Sequence, residues 1–154
     1  FAGTFQGVEH RIELIRTRKG VRWYNDSIAS SPSRTIAGLR SFPEQVILIA
    51  GGYDKHIPFD VLGPEIVNHV KLLVLCGATA GKIRAAVAQA PGYRPGHPEI
   101  LEVTPFQRAV EAARDRAQPG DVVTLSPACA AFDQFKNFME RGKTFKAIVN
   151  GWQE

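Results

Sequence analysis

The chain has 154 residues, 19 Lys and Arg against 15 Asp and Glu, 44% hydrophobic and 22% charged residues, the profile of one globular domain with a sizeable core and not of a disordered segment. Its net charge of +4 is spread along the chain without a basic block, which reads as a solvated mixed surface and argues against a nucleic-acid partner. The apolar runs Val46–Ala50 and Leu72–Cys76 are far shorter than the roughly 20 residues needed to cross a bilayer, and two distant cysteines, Cys76 and Cys129, build neither a disulfide framework nor a zinc cluster, which favours a reducing cytosol.

The opening Phe1-Ala2-Gly3-Thr4-Phe5 carries no initiator Met and no signal-like stretch, so the chain is expected to be a segment of a longer protein. Two extended runs, 12–17 and 21–24, flank Arg18-Lys19-Gly20, a basic turn whose Gly suits a tight β-hairpin. Ser31-Pro32 then signals a helix start, Ser as cap and Pro at the first helical position, with the helix running to about Arg40. Thereafter strands are predicted at 45–50, 71–76, 99–103 and 121–125, and helices at 60–68, 80–90, 105–117 and 133–149. The helix at 105 has the entry Thr104-Pro105-Phe106-Gln107, read as a capping box. Regular alternation of this kind predicts parallel strands with helical crossovers, and strands that are apolar without a period of two are buried on both faces. The expected fold class is therefore α/β: a Rossmann-like, mostly parallel sheet flanked by helices on both faces, with an N-terminal β-hairpin, in a single domain over 1–154.

In open parallel sheets ligands bind beyond the carboxyl ends of the strands. The segments there are Asn25-Asp26-Ser27, Gly51-Gly52-Tyr53-Asp54-Lys55, Gly77-Ala78-Thr79-Ala80 and Ser126-Pro127-Ala128-Cys129-Ala130. Gly77 to Lys82 lacks the spacing and the Ser or Thr of a phosphate loop, so it is an ordinary strand-to-helix turn. Asp26 is either a turn cap or a carboxylate that accepts from ribose hydroxyls. Lys55 is either solvated or the partner of a carboxylate or phosphate, and Arg11 either a cross-strand partner of Glu13 or a phosphate clamp. A helix opening near Phe132-Asp133 would aim free N–H groups into the cleft, with Phe132, Phe135 and Phe138 on its buried face. No His pair organises a metal or activates Cys129.

Taken together, His10-Arg11-Ile12-Glu13, Trp23-Tyr24-Asn25-Asp26-Ser27, Gly51-Gly52-Tyr53-Asp54-Lys55, Leu125-Ser126-Pro127-Ala128-Cys129-Ala130, Asp133-Gln134-Phe135-Lys136-Asn137-Phe138 and Arg141-Gly142 resemble the carboxy-terminal domain of the D-glutamate-adding ligases of the Mur family, in order and spacing along essentially the whole chain. The resemblance implies a cytoplasmic step of peptidoglycan synthesis. There ATP phosphorylates the carboxylate of UDP-N-acetylmuramoyl-L-alanine, and the amine of D-glutamate displaces phosphate from the acyl phosphate. ATP and Mg²⁺ are the implied cofactors. The N-terminal and central ATPase domains, absent from this chain, are the implied partners and would hold the phosphate loop and the metal ligands, leaving this domain without catalytic or metal residues and inactive alone. Arg11, Asp26 and Asn25 are implied at the ATP site, and Lys55, Ser30, Ala131, Phe132 and Phe138 at the D-glutamate site.

Two positions depart from that family's pattern. Ile28 stands where a Lys is usual, and Ala131 where a Ser hydroxyl would bind the substrate carboxylate; one hydrogen bond to a charged group is worth about 1.5–3 kcal/mol, so weaker D-glutamate binding is expected. The alternatives are a related amide ligase with another amino acid, and a non-catalytic nucleotide- or anion-binding module.

Overall fold

The apolar runs form the centre of a six-stranded sheet. In a computed structural model, which describes residues 9–131 and 134–153, the elements in chain order are β1 (Glu13–Arg18), β2 (Val21–Asn25), α1 (Pro32–Arg40), β3 (Val46–Ala50), α2 (Leu62–His69), β4 (Val70–Leu75), α3 (Ala80–Ala88), β5 (Glu99–Glu102), α4 (Phe106–Arg116), β6 (Val122–Leu125) and α5 (Phe138–Gly151). The strand order is β1-β2-β6-β3-β4-β5. Only β1 and β2 pair antiparallel; the other neighbours run parallel. Lys19 (φ 53°) and Gly20 (φ 79°) both take the left-handed region at the hairpin tip, the pair of positive φ values that matches the twist of a tight hairpin.

Successive residues of β3 serve opposite faces, as the pleat requires. Val46, Leu48 and Ala50 pack under Leu39, Leu62, Ile66 and Ile83 from α1, α2 and α3. Ile47 and Ile49 join Phe106, Val110, Phe145 and Val149 from α4 and α5. The sheet is thus covered on both sides, which explains why its central strands show no polar alternation.

Three local expectations are corrected. The last helix begins at Phe138, not near 133, and its cap is Asn137, whose Oδ1 accepts from the Glu140 backbone N–H at 2.9 Å. Phe135 and Phe138 therefore do not share a helical face: Phe135 packs edge-on against Phe106 with ring centroids 5.0 Å apart, and Phe138 meets His10. At α4 the N-cap is Pro105 and no side chain caps the helix; Gln107 bonds forward to Glu111 instead of back. Ser31 is the N-cap of α1, but its hydroxyl makes no capping bond and lies 3.3 Å from Ser33 Oγ. The helix start expected at Phe132-Asp133 falls on residues outside those described.

Candidate functional site

Three loops meet at the carboxyl edge of the sheet because backbone groups lace them together. Gly51 N–H donates to Pro127 O, Tyr53 N–H to Ala130 O, and Ala128 N–H to Ala29 O, each at 2.9 Å. Gly52 N–H donates to Thr79 Oγ1 at 3.0 Å, which fixes the Gly77–Ala80 turn as a structural support. The approach is close enough to require glycine: at Gly51 (φ +111°) an added Cβ would stand 2.1 Å from the Cys76 carbonyl oxygen, far inside van der Waals contact.

The lacing leaves two neighbouring hollows. The first is a shallow depression lined by Ser30, Tyr53, Lys55, Ile57, Phe59 and the stretch 128–130. Ser30 and Lys55, far apart in sequence, are brought together there. Lys55 is exposed, while its neighbour Asp54 is engaged by Lys82 at 2.6 Å and held below the usual carboxylate range by that hydrogen bond. The hollow thus has the Lys55 ammonium, two hydroxyl-bearing residues, Ser30 and Tyr53, and an apolar wall, a set compatible with a small carboxylate bearing an aliphatic chain.

The second hollow is lined by Arg11, Ile12, Asp26, Ile28, Ala29, Arg34, Ala37 and Gly38. Asp26 is buried, its Oδ1 accepting from Ile12 N–H at 3.2 Å and its Oδ2 from Ser126 Oγ at 2.9 Å. Burial raises its pKa to about 6, opposed by those hydrogen bonds and by Arg11 and Arg34. Two of about four acceptor positions on the carboxylate carry no hydrogen bond from a described residue. Gly38 keeps the space open, since a Cβ there would lie 2.7 Å from Asp26 Oδ2.

Asn25 does not face either hollow. It is fully buried, its Nδ2 donating to His10 Nδ1 at 2.8 Å and to Glu13 Oε1 at 3.1 Å while its Oδ1 accepts from Ser27 N–H, so it braces the turn that presents Asp26. Burial holds the His10 imidazole below the ordinary histidine range, consistent with a neutral ring accepting from Asn25. Phe138 stands beside this brace, its carbonyl accepting from Ser27 Oγ at 2.7 Å. Ala131 is buried behind the first hollow, with Gln134, Phe135 and Arg141 around the same internal space. Phe132 lies outside the described residues.

Sequence reasoning assigned no role to Arg141, which is the hub of the site. Only 3% exposed, it donates from Nε to Ser27 Oγ (3.0 Å), from Nη1 to Cys129 O (2.8 Å), and from Nη2 to Ser27 O (2.7 Å) and Ser30 Oγ (3.3 Å). The signal was present: Arg141 falls in register with Phe138, Phe145 and Val149, a cation in the apolar stripe of a helix, where it needs buried acceptors. Gly142 gives His10 room, because a Cβ there would sit 2.2 Å from His10 Nδ1. Among the described residues no three His, Cys, Asp or Glu side chains converge as a metal site, and no helix is long and apolar enough to cross a membrane.

An open, mostly parallel sheet covered by helices, with two polar hollows beside its strand ends, defines the class as an α/β domain. Residues 10–129 match the family described as the Mur ligase, glutamate ligase domain, and the chain belongs to that family. It is 54% identical over 149 residues to a UDP-N-acetylmuramoylalanine–D-glutamate ligase of Clostridium botulinum (strain Okra / Type B1), covering 97% of this chain and 32% of that one. It is 59% identical over 152 residues to the protein of the same name in Acetivibrio thermocellus, with the same coverages. The chain thus spans about a third of the length of these curated relatives. Solved structures share the fold: a murein peptide ligase of Psychrobacter arcticus has a TM-score of 0.63 at 13% identity, over 96% of this chain and 32% of that one. A folylpolyglutamate synthase of Mycobacterium tuberculosis has a TM-score of 0.58 at 12% identity, over 95% and 33%.

Proposed function

We propose that this domain supplies the D-glutamate site and one wall of the ATP site in a cytoplasmic ligase that joins D-glutamate to UDP-N-acetylmuramoyl-L-alanine in peptidoglycan synthesis. The observation that carries the reading is the convergence of Ser30 and Lys55 on one hollow beside a second one holding Arg11 and Asp26, in a chain more than half identical to ligases of that name. In this reading a carboxylate oxygen of UDP-N-acetylmuramoyl-L-alanine attacks the terminal phosphorus of ATP and ADP departs. The deprotonated amine of D-glutamate then attacks the acyl carbon, and the carbon–oxygen bond to phosphate breaks. Lys55 and Ser30 hold one carboxylate of D-glutamate; the family resemblance assigns Ala131, Phe132 and Phe138 to its other carboxylate, although Ala131 and Phe138 do not line this hollow. Arg11 meets ATP phosphate and Asp26 the ribose, while Asn25 braces the turn. The N-terminal and central domains of the complete enzyme contribute the remaining walls. No residue of this domain is proposed to hold Mg²⁺, which, bound elsewhere in the complete enzyme, would neutralise charge on the transferred phosphate.

Lys55→Met in the complete ligase tests the assignment. Loss of one charge-assisted contact, about 1.5–3 kcal/mol, raises the KM for D-glutamate by about ten- to 150-fold and leaves the KM for ATP unchanged. Steady-state kinetics with each substrate varied in turn makes the distinction. An unchanged KM for D-glutamate contradicts the role of Lys55.

A further inference from the structure

We infer that Arg34 is a second phosphate-binding residue of the nucleotide site, clamping with Arg11 the anionic end of a nucleoside triphosphate whose sugar hydroxyls donate to Asp26. The inference rests on the reading of the Asp26 hollow as the nucleotide site and adds to it a residue that no motif singled out.

Arg34 lines the same hollow as Arg11, Asp26 and Ile28. Both guanidiniums act on the Asp26 carboxylate through space, yet neither forms a hydrogen bond or ion pair with it or with any other described residue. Most other arginines of the domain are engaged: Arg16, Arg22, Arg40, Arg84, Arg116 and Arg141 each hold a carbonyl or a carboxylate. The placement of Arg34 also runs against helix electrostatics. It lies in the first turn of α1, which contains no acidic residue, where the positive end of the helix dipole disfavours a cation. An anion arriving between Arg34 and Arg11 removes that conflict.

The composition of the hollow identifies the class of ligand. A free sugar or nucleoside would use Asp26 but would leave two guanidiniums with nothing to bind. A simple carboxylate or phosphate would use the guanidiniums but would be repelled by Asp26. A molecule with vicinal hydroxyls at one end and several phosphate oxygens at the other satisfies both, and guanidiniums match phosphate through paired N–H donors. Ile28 contributes only apolar surface to the hollow, so the positive charge there comes from Arg11 and Arg34.

The test uses the complete ligase. Arg34 is exposed, so its substitution leaves the core intact. In Arg34→Ala the KM for ATP rises by about ten- to 100-fold, with the KM for D-glutamate and inhibition by adenosine unchanged. Arg34→Lys recovers most of the loss, and adding Ile28→Lys to Arg34→Ala recovers part of it, because a cation at 28 enters the same hollow. An ATP KM within about twofold of wild type, or a parallel loss of adenosine binding, overturns the assignment. Asp26→Ala separates the two levels of failure. If it raises the ATP KM while Arg34→Ala does not, only the role of Arg34 falls; if neither variant has an effect, the nucleotide reading of this hollow falls with it.

Discussion

Replacing Arg141 by Met lowers the stability of the domain by about 3–5 kcal/mol, because the carbonyls of Ser27 and Cys129 and the hydroxyls of Ser27 and Ser30 lose a charged donor inside the protein. Each buried acceptor left without a partner costs about 1–3 kcal/mol, and a domain of this size has about 5–15 kcal/mol in all. The substitution is nearly volume-conserving, so packing is not the cause. Urea unfolding shows the effect as a lower midpoint at an unchanged slope. A loss below about 1 kcal/mol would mean that water replaces the guanidinium, and Arg141 would then not be the hub. Arg141→Lys retains the charge but reaches fewer of the acceptors, and falls between the two. Ser30, on the hollow proposed for the amino acid, and Ser27, beside Asp26, are both held by Arg141, so under the proposed function the binding of both ligands weakens together.

The second large effect is a pH dependence centred on Asp26. Burial raises its pKa from 3.8 to about 6, so between these values the folded protein keeps a proton that the unfolded chain has lost. Stability from this group is therefore fully present below pH 3.8 and declines as pH rises to about 6, where a separation of about two units amounts to about 3 kcal/mol. Asp26→Asn removes that slope. Urea unfolding at a series of pH values gives curves for the two proteins that diverge across this window, the Asn variant being the more stable at neutral pH. Parallel curves would contradict the burial argument. If Asp26 has its proposed role as acceptor for the sugar hydroxyls, the same variant also binds nucleotide more weakly. A charge kept in a site at the expense of stability is the pattern of a functional residue.

The fold was legible because β3, most of β4 and β6 are buried on both faces and so show no polar alternation, while Arg18-Lys19-Gly20 marked the hairpin. Helix entries were less legible where several capping residues compete. Thr104 promised a cap, but Pro105 took the N-cap position itself. Asn137 with Glu140 three residues on was the true entry to α5, hidden by the three-residue spacing of Phe132, Phe135 and Phe138. Of the site, the glycine pair ahead of Lys55 and the Asn25-Asp26-Ser27 turn were visible as polar segments at strand ends. That Ser30 and Lys55 share a hollow was not, because it depends on the backbone bonds that bring Ala130 to Tyr53. Arg34 carries no sequence signal beyond its charge. Only its place beside Asp26 distinguishes it from a solvated helix residue.

The most direct test of the account is an amino-acid competition with the complete ligase, supplied with ATP and UDP-N-acetylmuramoyl-L-alanine, in which D-glutamate, L-glutamate, L-lysine and diaminopimelate are offered together and the amide product is identified. The account predicts incorporation of D-glutamate alone, with one phosphate released per amide bond formed. Incorporation of another amino acid in preference to D-glutamate, or of both glutamate isomers equally, would contradict it.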